Sequence, residues 1–440
     1  MKQNRPFVVA TVVLIVSMIL ASCAPAATPT VAPTAPPPVE QPTAAPVVAT
    51  ALPALPTATV PPKIVLAIEH FSVIAGTTWS GAHDRAAKRI VQKYPNVTYI
   101  YRENVSDPAQ TNPFAEQMIA SGANIVIGNA EFMGMPLKDI ADKYPNVYFG
   151  SVIASDMSTK PNFIRFFPRQ DQALYLEGLI AAALTKTGNI GITSAFPCVQ
   201  VIRRTAGFVL GVQDGASLLN KKVNVYVKYA GNWYLPADER SIAETLVDTY
   251  HADVLTQQTD SSSTMDVAKE KGVWFVGKDM DIVGDLGWGS TDTVAVSFDT
   301  RWEVIYEKMV QEYMAGNKTP ETIMYPGMET TMTLADGTVE PTVDLMNNHK
   351  VGVDAISPKA LPLVPQSILD LVKQRRDQMM KAQWDPFTEH EFVSNGTGLV
   401  IGNLQIPAAG TVVKQAGVPA TTEFLLSQFN FDLLGTTVLK

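Results

Sequence analysis

Residues 67–90 read AIEHFSVIAGTTWSGAHDRAAKRI. An apolar run ends at Glu69, a turn rich in Gly, Ser and Thr follows, and an Ala-rich segment of helical spacing takes over near Trp79. This is a strand, a turn and a helix in the order of a parallel-sheet protein. Trp79 and His83 stand one helical turn apart at the junction. A catalytic base, a metal ligand and one wall of a ligand pocket all fit such a placement.

The same alternation runs outward from this unit. Strand-like runs at 63–68, 97–101, 124–128 and 147–150 are separated by stretches long enough for one helix each. A second set follows at 189–192, 223–229, 253–257, 273–277 and 293–297. The peptide KYPNV occurs at 93–97 and again at 143–147, each time closing a helical stretch and opening a strand. Proline stops the helix and asparagine turns the chain. Two such sets predict two α/β lobes with parallel-type sheets: 63–168 as lobe I, 169–297 as lobe II. Residues 298–440 would return to complete both, with helices near 301–314 and 366–382 and a C-terminal tail.

The N-terminal part reads differently. Lys2 and Arg5 precede an apolar stretch from Phe7 to Leu20, followed by Ala21, Ser22 and Cys23. A basic start, a short apolar run and small residues describe a secretory signal over 1–22. A cysteine after Leu-Ala-Ser resembles a bacterial lipobox, with Cys23 as the acylated residue and a lipid anchor holding the chain on the extracytoplasmic side of the cell membrane. Residues 24–62 are nearly all Ala, Pro, Thr and Val with one charge, Glu40. This composition predicts an extended tether. The body holds one cysteine, Cys198, so no internal disulfide can form. A formal charge of −8 argues against nucleic acid as a partner.

In open α/β sheets ligands sit beyond the carboxyl ends of the strands. Those ends carry Phe71, Trp79 and His83; Asn129, Glu131 and Phe132; Phe196; Trp233; Asp260 and Ser261; Asp279 and Asp281. Phe167 lies near the first passage between lobes. Flat aromatics beside a few hydrogen-bonding groups suit a planar, polar small molecule. Catalytic readings find little purchase. There is no GxSxG elbow, Walker loop or GxGxxG after the first strand. The five histidines, at 70, 83, 251, 349 and 390, are scattered, so no metal or other cofactor is expected.

The segments TTWSGAHDRA, YLEGLIAAALTKTGNIG, AFPCVQVIR, NWYLPADE, TQQTDSS, VGKDMD, DPFTEHEF and IPAAGTVV, in this order over 63–440, resemble the basic membrane protein (BMP) family of ABC-transporter solute-binding lipoproteins, related to purine-nucleoside receptors. The resemblance implies a type I periplasmic-binding-protein clamshell, two lobes joined by three crossovers. It also implies a monomer that binds a purine base or nucleoside without reaction and hands it to an ABC permease. Carried over, Trp79 and Trp233 would stack on the base, Asp281 would take an amine or ribose hydroxyls, and Asp260 and Ser261 match a Thr-Asp-Ser segment. His83 would either donate to the ligand or fix Trp79. Gln200, Ala206, Leu235 and Gln258 depart from the polar residues of that branch and put the ligand's identity in question. A sugar, or a surface role without transport, remain the alternatives.

Overall fold

The computed structural model describes residues 61–152 and 158–440. The signal peptide, Cys23 and the tether through residue 60 lie outside the described residues. Among the described residues no helix is long and apolar enough to cross a membrane.

Lobe I is built on five strands read in sequence: β1 (Ile64–Glu69), β2 (Val97–Arg102), β3 (Ile125–Gly128), β4 (Tyr148–Val152) and β5 (Phe163–Phe166). Lobe II follows with β6 (Asn189–Ser194), β7 (Asn224–Tyr229), β8 (Val254–Gln257), β9 (Trp274–Val276) and β10 (Val294–Thr300). Nine of these ten coincide with the apolar runs of the sequence. β5 does not, because Arg165 interrupts its four residues, yet all four are buried. Later strands complete the sheets: β11 (Ile323–Met324), β12 (Thr331–Thr333), β13 (Val339–Pro341), β14 (Val343–Asn347) and β15 (Lys350–Val351). The tail adds β16 (Phe392–Gly398), β17 (Val412–Lys414), β18 (Phe431–Leu433) and β19 (Thr436–Val438), where the sequence reads only as irregular.

The lobe I sheet runs β11-β5-β4-β3-β1-β2, and every pairing in it is parallel. The lobe II sheet runs β15-β14-β10-β9-β8-β6-β7-β19, parallel except for the two antiparallel pairings at β14. Such sheets are apolar on both faces because helices cover both. β3, for example, is buried at all four positions. The chain passes between the lobes three times. It leaves β5 for the helix Gln170–Leu184 of lobe II, leaves β10 for the helix Glu303–Met314 on lobe I, and returns from β11 to β14.

The helices Gln170–Leu184 and Val199–Leu218 of lobe II pack backbone to backbone. A methyl group on Gly178 would collide with the Phe208 carbonyl, and one on Gly211 with the Tyr175 carbonyl. Glycine is therefore needed at both positions. The first helix is buried along its whole length, so it anchors the first crossover firmly in lobe II.

Candidate ligand site between the lobes

A cavity of about 350 Å³ opens between the lobes, within the usual range for small-molecule sites. Each of its walls comes from a strand end or the turn after one. Lobe I contributes Phe71 after β1, Trp79 from the first turn of the helix Thr78–Lys93, the segment Asn129–Phe132 after β3, and Val152 at the end of β4. Lobe II contributes Phe196 and Gln200 after β6, Trp233 after β7, Asp260 after β8 and Lys278 after β9.

The aromatic walls are held in place by polar contacts behind them. Asn129 accepts the Phe71 amide through Oδ1 at 2.9 Å, and its backbone oxygen accepts the Trp79 indole N–H at 2.7 Å. One asparagine thus fixes two aromatic rings of lobe I. Its Nδ2 lies 3.2 Å from His70 Nδ1 and 3.3 Å from Ser80 Oγ. Burial holds His70 down to about 3, so this ring is neutral and can accept. In lobe II, Phe196 and Trp233 meet edge to face, centroids 5.0 Å apart.

The polar end of the cavity is a buried chain of charges. Lys278 donates from Nζ to Asp260 Oδ1 at 2.6 Å and to Asp279 Oδ2 at 2.7 Å. Asp279 Oδ1 accepts from Arg204 at 2.9 Å and from Gln170 at 3.1 Å. Two cations against two carboxylates leave this chain neutral. Isolated buried charges would be costly, and pairing is what makes them tolerable. Burial pushes the Asp260 carboxyl up, against the pull of Lys278. Asp260 Oδ1 also accepts from Thr78 Oγ1 of lobe I at 3.1 Å. Asp279 has φ +66, a left-handed conformation that costs energy in a non-glycine residue and commonly marks functional sites.

Of the ten residues proposed from sequence, six line the cavity: Phe71, Trp79, Asn129, Phe196, Trp233 and Asp260. Four do not. His83 is fully buried one layer behind Trp79, centroids 5.3 Å apart, hydrogen-bonded through Nδ1 to the Tyr306 hydroxyl. It touches Trp79 and not the cavity, an arrangement compatible with the role of fixing Trp79. Phe167 is sealed in the core of lobe I with the Arg203 guanidinium 4.7 Å over its ring. Ser261 Oγ donates to Glu239 at 2.6 Å and so ties its loop to the helix Pro236–Asp248. Asp281 accepts three backbone amides, from Gly284, Asn348 and His349, at 2.5 to 2.8 Å. Its carboxylate pins two turns together and is fully buried, away from the cavity lining.

Lys278 was not foreseen. The signal in VGKDMD was a lysine immediately after an apolar strand and beside an aspartate, where a buried cation needs a partner. Glu131 and Phe132 were visible as strand-end residues, and Gln200 as a departure from the family pattern, but none was placed in the site. Cys198, at the start of the helix Val199–Leu218, has its thiol pushed up to about 12 by burial, which leaves it inert as a nucleophile. Among the described residues no group of three His, Cys, Asp or Glu side chains is arranged to hold a metal ion.

Residues 63–366 match the family model of the PnrA-like ABC transporter substrate-binding proteins, Bmp. The chain belongs to the Bmp family. Among curated relatives, a putative ABC transporter glucose-binding protein of Haloferax volcanii is 26% identical over 267 residues, 61% of this chain and 65% of that protein. A purine-binding protein of Brucella abortus is 27% identical over 206 residues, 47% of this chain and 57% of that protein. The chain thus spans less than two thirds of either relative's length. The solved structure of an ABC solute-binding protein of Conexibacter woesei superposes on this Bmp chain with a TM-score of 0.54 at 18% identity, covering 73% of this chain and 98% of the other. That likeness supports the two-lobed α/β clamshell of type I periplasmic binding proteins.

Proposed function

We propose that this protein is an extracytoplasmic solute receptor, not an enzyme, which closes its lobes on a purine base or nucleoside and delivers it to an ABC permease. Five aromatic side chains carry this reading. Phe71, Trp79 and Phe132 come from lobe I and Phe196 and Trp233 from lobe II, so closure brings ring faces to a flat ligand from both sides. Stacking of this kind is favourable with every base, because every base presents a π-face. Asp260, Lys278 and Gln200 then read its polar edge. An unmatched buried donor costs about 1–3 kcal/mol, so these groups set selectivity. The name of the Brucella relative supports the same ligand class.

The Haloferax relative favours a sugar, and tryptophan also stacks on sugar C–H faces. A sugar, however, needs hydrogen-bonding groups on all sides, and this cavity is walled chiefly by aromatic and aliphatic side chains. Unfolding the freshly purified protein and identifying what it releases, by ultraviolet spectrum and mass, tests the assignment. A released purine supports it; a released hexose would replace it.

We also propose that the protein acts as a monomer, held at the membrane by acylated Cys23 with residues 24–62 as tether, and with no nucleic-acid partner. Cys23→Ser should move the protein from the membrane fraction to the soluble one.

A further inference from the structure

The 60 or so residues after the helix Gln366–Met379 lie beyond the family match, and they grip the hinge. Three observations place them there. Asp385, the first residue of DPFTEHEF, accepts from Arg169 at 2.6 Å and from Gln172 at 3.0 Å, the residues that lead the first crossover into lobe II. Further on, Phe424–Gln428 form a π-helical turn, an arrangement rare enough in proteins to mark functional positions. The carbonyl of Leu425 in that turn accepts from the buried Arg203 at 2.7 Å. The same guanidinium lies over Phe167 at the end of the first crossover strand and over Tyr325 at the start of the third passage, 4.7 and 5.4 Å from their centroids.

The two leucines of the turn part company. Leu425 belongs to the apolar core of lobe II, whereas Leu426 is buried in that of lobe I, the cluster of Trp79, Phe167, Trp302 and Tyr306. The tail is also fastened to lobe II: β19 pairs with β7 there, and Phe392, Phe429, Phe431 and Leu433 are buried in the lobe II core. One side chain, Leu426, is therefore lodged in lobe I from a segment rooted in lobe II. In this arrangement the lobes also touch through Thr78–Asp260 and through Arg85–Asp285 at 2.6 Å.

We propose that the tail is a strap across the hinge: by lodging Leu426 in the lobe I core it holds the lobes together and sets how much of the empty protein is closed. Hinge opening that withdrew Leu426 would expose a buried leucine, so the strap shifts the closed-to-open ratio roughly ten- to a hundredfold.

Small-angle X-ray scattering of the ligand-stripped full-length protein tests this, comparing Leu426→Ala with Leu425→Ala. The two residues are adjacent and almost equally buried, so both variants should lose similar thermal stability. Only Leu426→Ala should raise the radius of gyration of the empty protein. Equal radii for the two variants, or a change with Leu425→Ala alone, would overturn the strap. If either alanine variant fails to accumulate folded, the Leu→Val pair gives the same comparison at smaller amplitude. No ligand enters this measurement, so its outcome is independent of the purine assignment.

Discussion

His83 lies against Trp302 with ring centroids 4.1 Å apart and planes 21° from parallel, and neither ring reaches solvent. Trp302 in turn meets Trp79 edge-on at 5.2 Å. The cavity wall formed by Trp79 is thus backed by a second aromatic layer carried by the chain leaving β10. Burial holds the His83 imidazole well below its ordinary value, so it is neutral throughout the physiological range. His83→Phe, which keeps the stacked ring but loses the bond to Tyr306, should preserve folding and weaken ligand binding by less than tenfold. A loss of several hundredfold, by isothermal titration, would show direct contact with the ligand instead.

Trp79 and Trp233 should separate under mutation. Trp79 is 6% exposed and part of the lobe I core, so Trp79→Ala should cost about 3–5 kcal/mol of stability as well as binding. Trp233 is only partly buried. Its replacement by Ala should abolish tight binding while shifting the unfolding midpoint little, as urea titration monitored by circular dichroism would show.

Lys278 bridges two buried carboxylates, Asp260 and Asp279, with Arg204 as the second cation. Lys278→Met leaves Asp260 and Asp279 facing each other and should destabilise by about 3–5 kcal/mol. Adding Asp260→Asn should recover part of that loss, a non-additivity expected of groups in contact. Strict additivity in chemical denaturation would mean that the pair does not act as a unit.

Glu69 supplies a pH signature. Burial raises its carboxyl to about 9, far above the value of about 4.3 for an exposed glutamate. Between those values the unfolded chain has released this proton and the folded one keeps it, so stability falls as pH rises, by about 1.4 kcal/mol per unit. Glu69→Gln should flatten that part of the profile in denaturation curves from pH 5 to 8. An unchanged slope would place the titration elsewhere.

Strand ends were readable in the sequence because buried parallel strands are continuous apolar runs, and the residues after them fall at one edge of a sheet. That logic found Phe71, Trp79, Asn129, Phe196, Trp233 and Asp260. It could not tell which strand-end side chains turn inward. Asp281 is consumed by backbone amides 67 and 68 residues away in sequence, and Phe167 by Arg203, contacts no local pattern announces. Lys278 escaped notice because a lone lysine ordinarily reads as solvated surface; here it is 2% exposed. The tail strands were hidden for a related reason. β17, β18 and β19 have three residues each, too short for a periodic pattern, and β19 takes its pairing from β7, about 200 residues away.

The most direct test of the central claim is ligand-induced stabilisation after unfolding and refolding have removed anything bound. With adenosine, guanosine, adenine, guanine, glucose and ribose each in turn, the account expects a purine alone to raise the melting temperature, by the equivalent of about 2.7 kcal/mol at one hundred times its dissociation constant. A clear rise with glucose and none with any purine would contradict it.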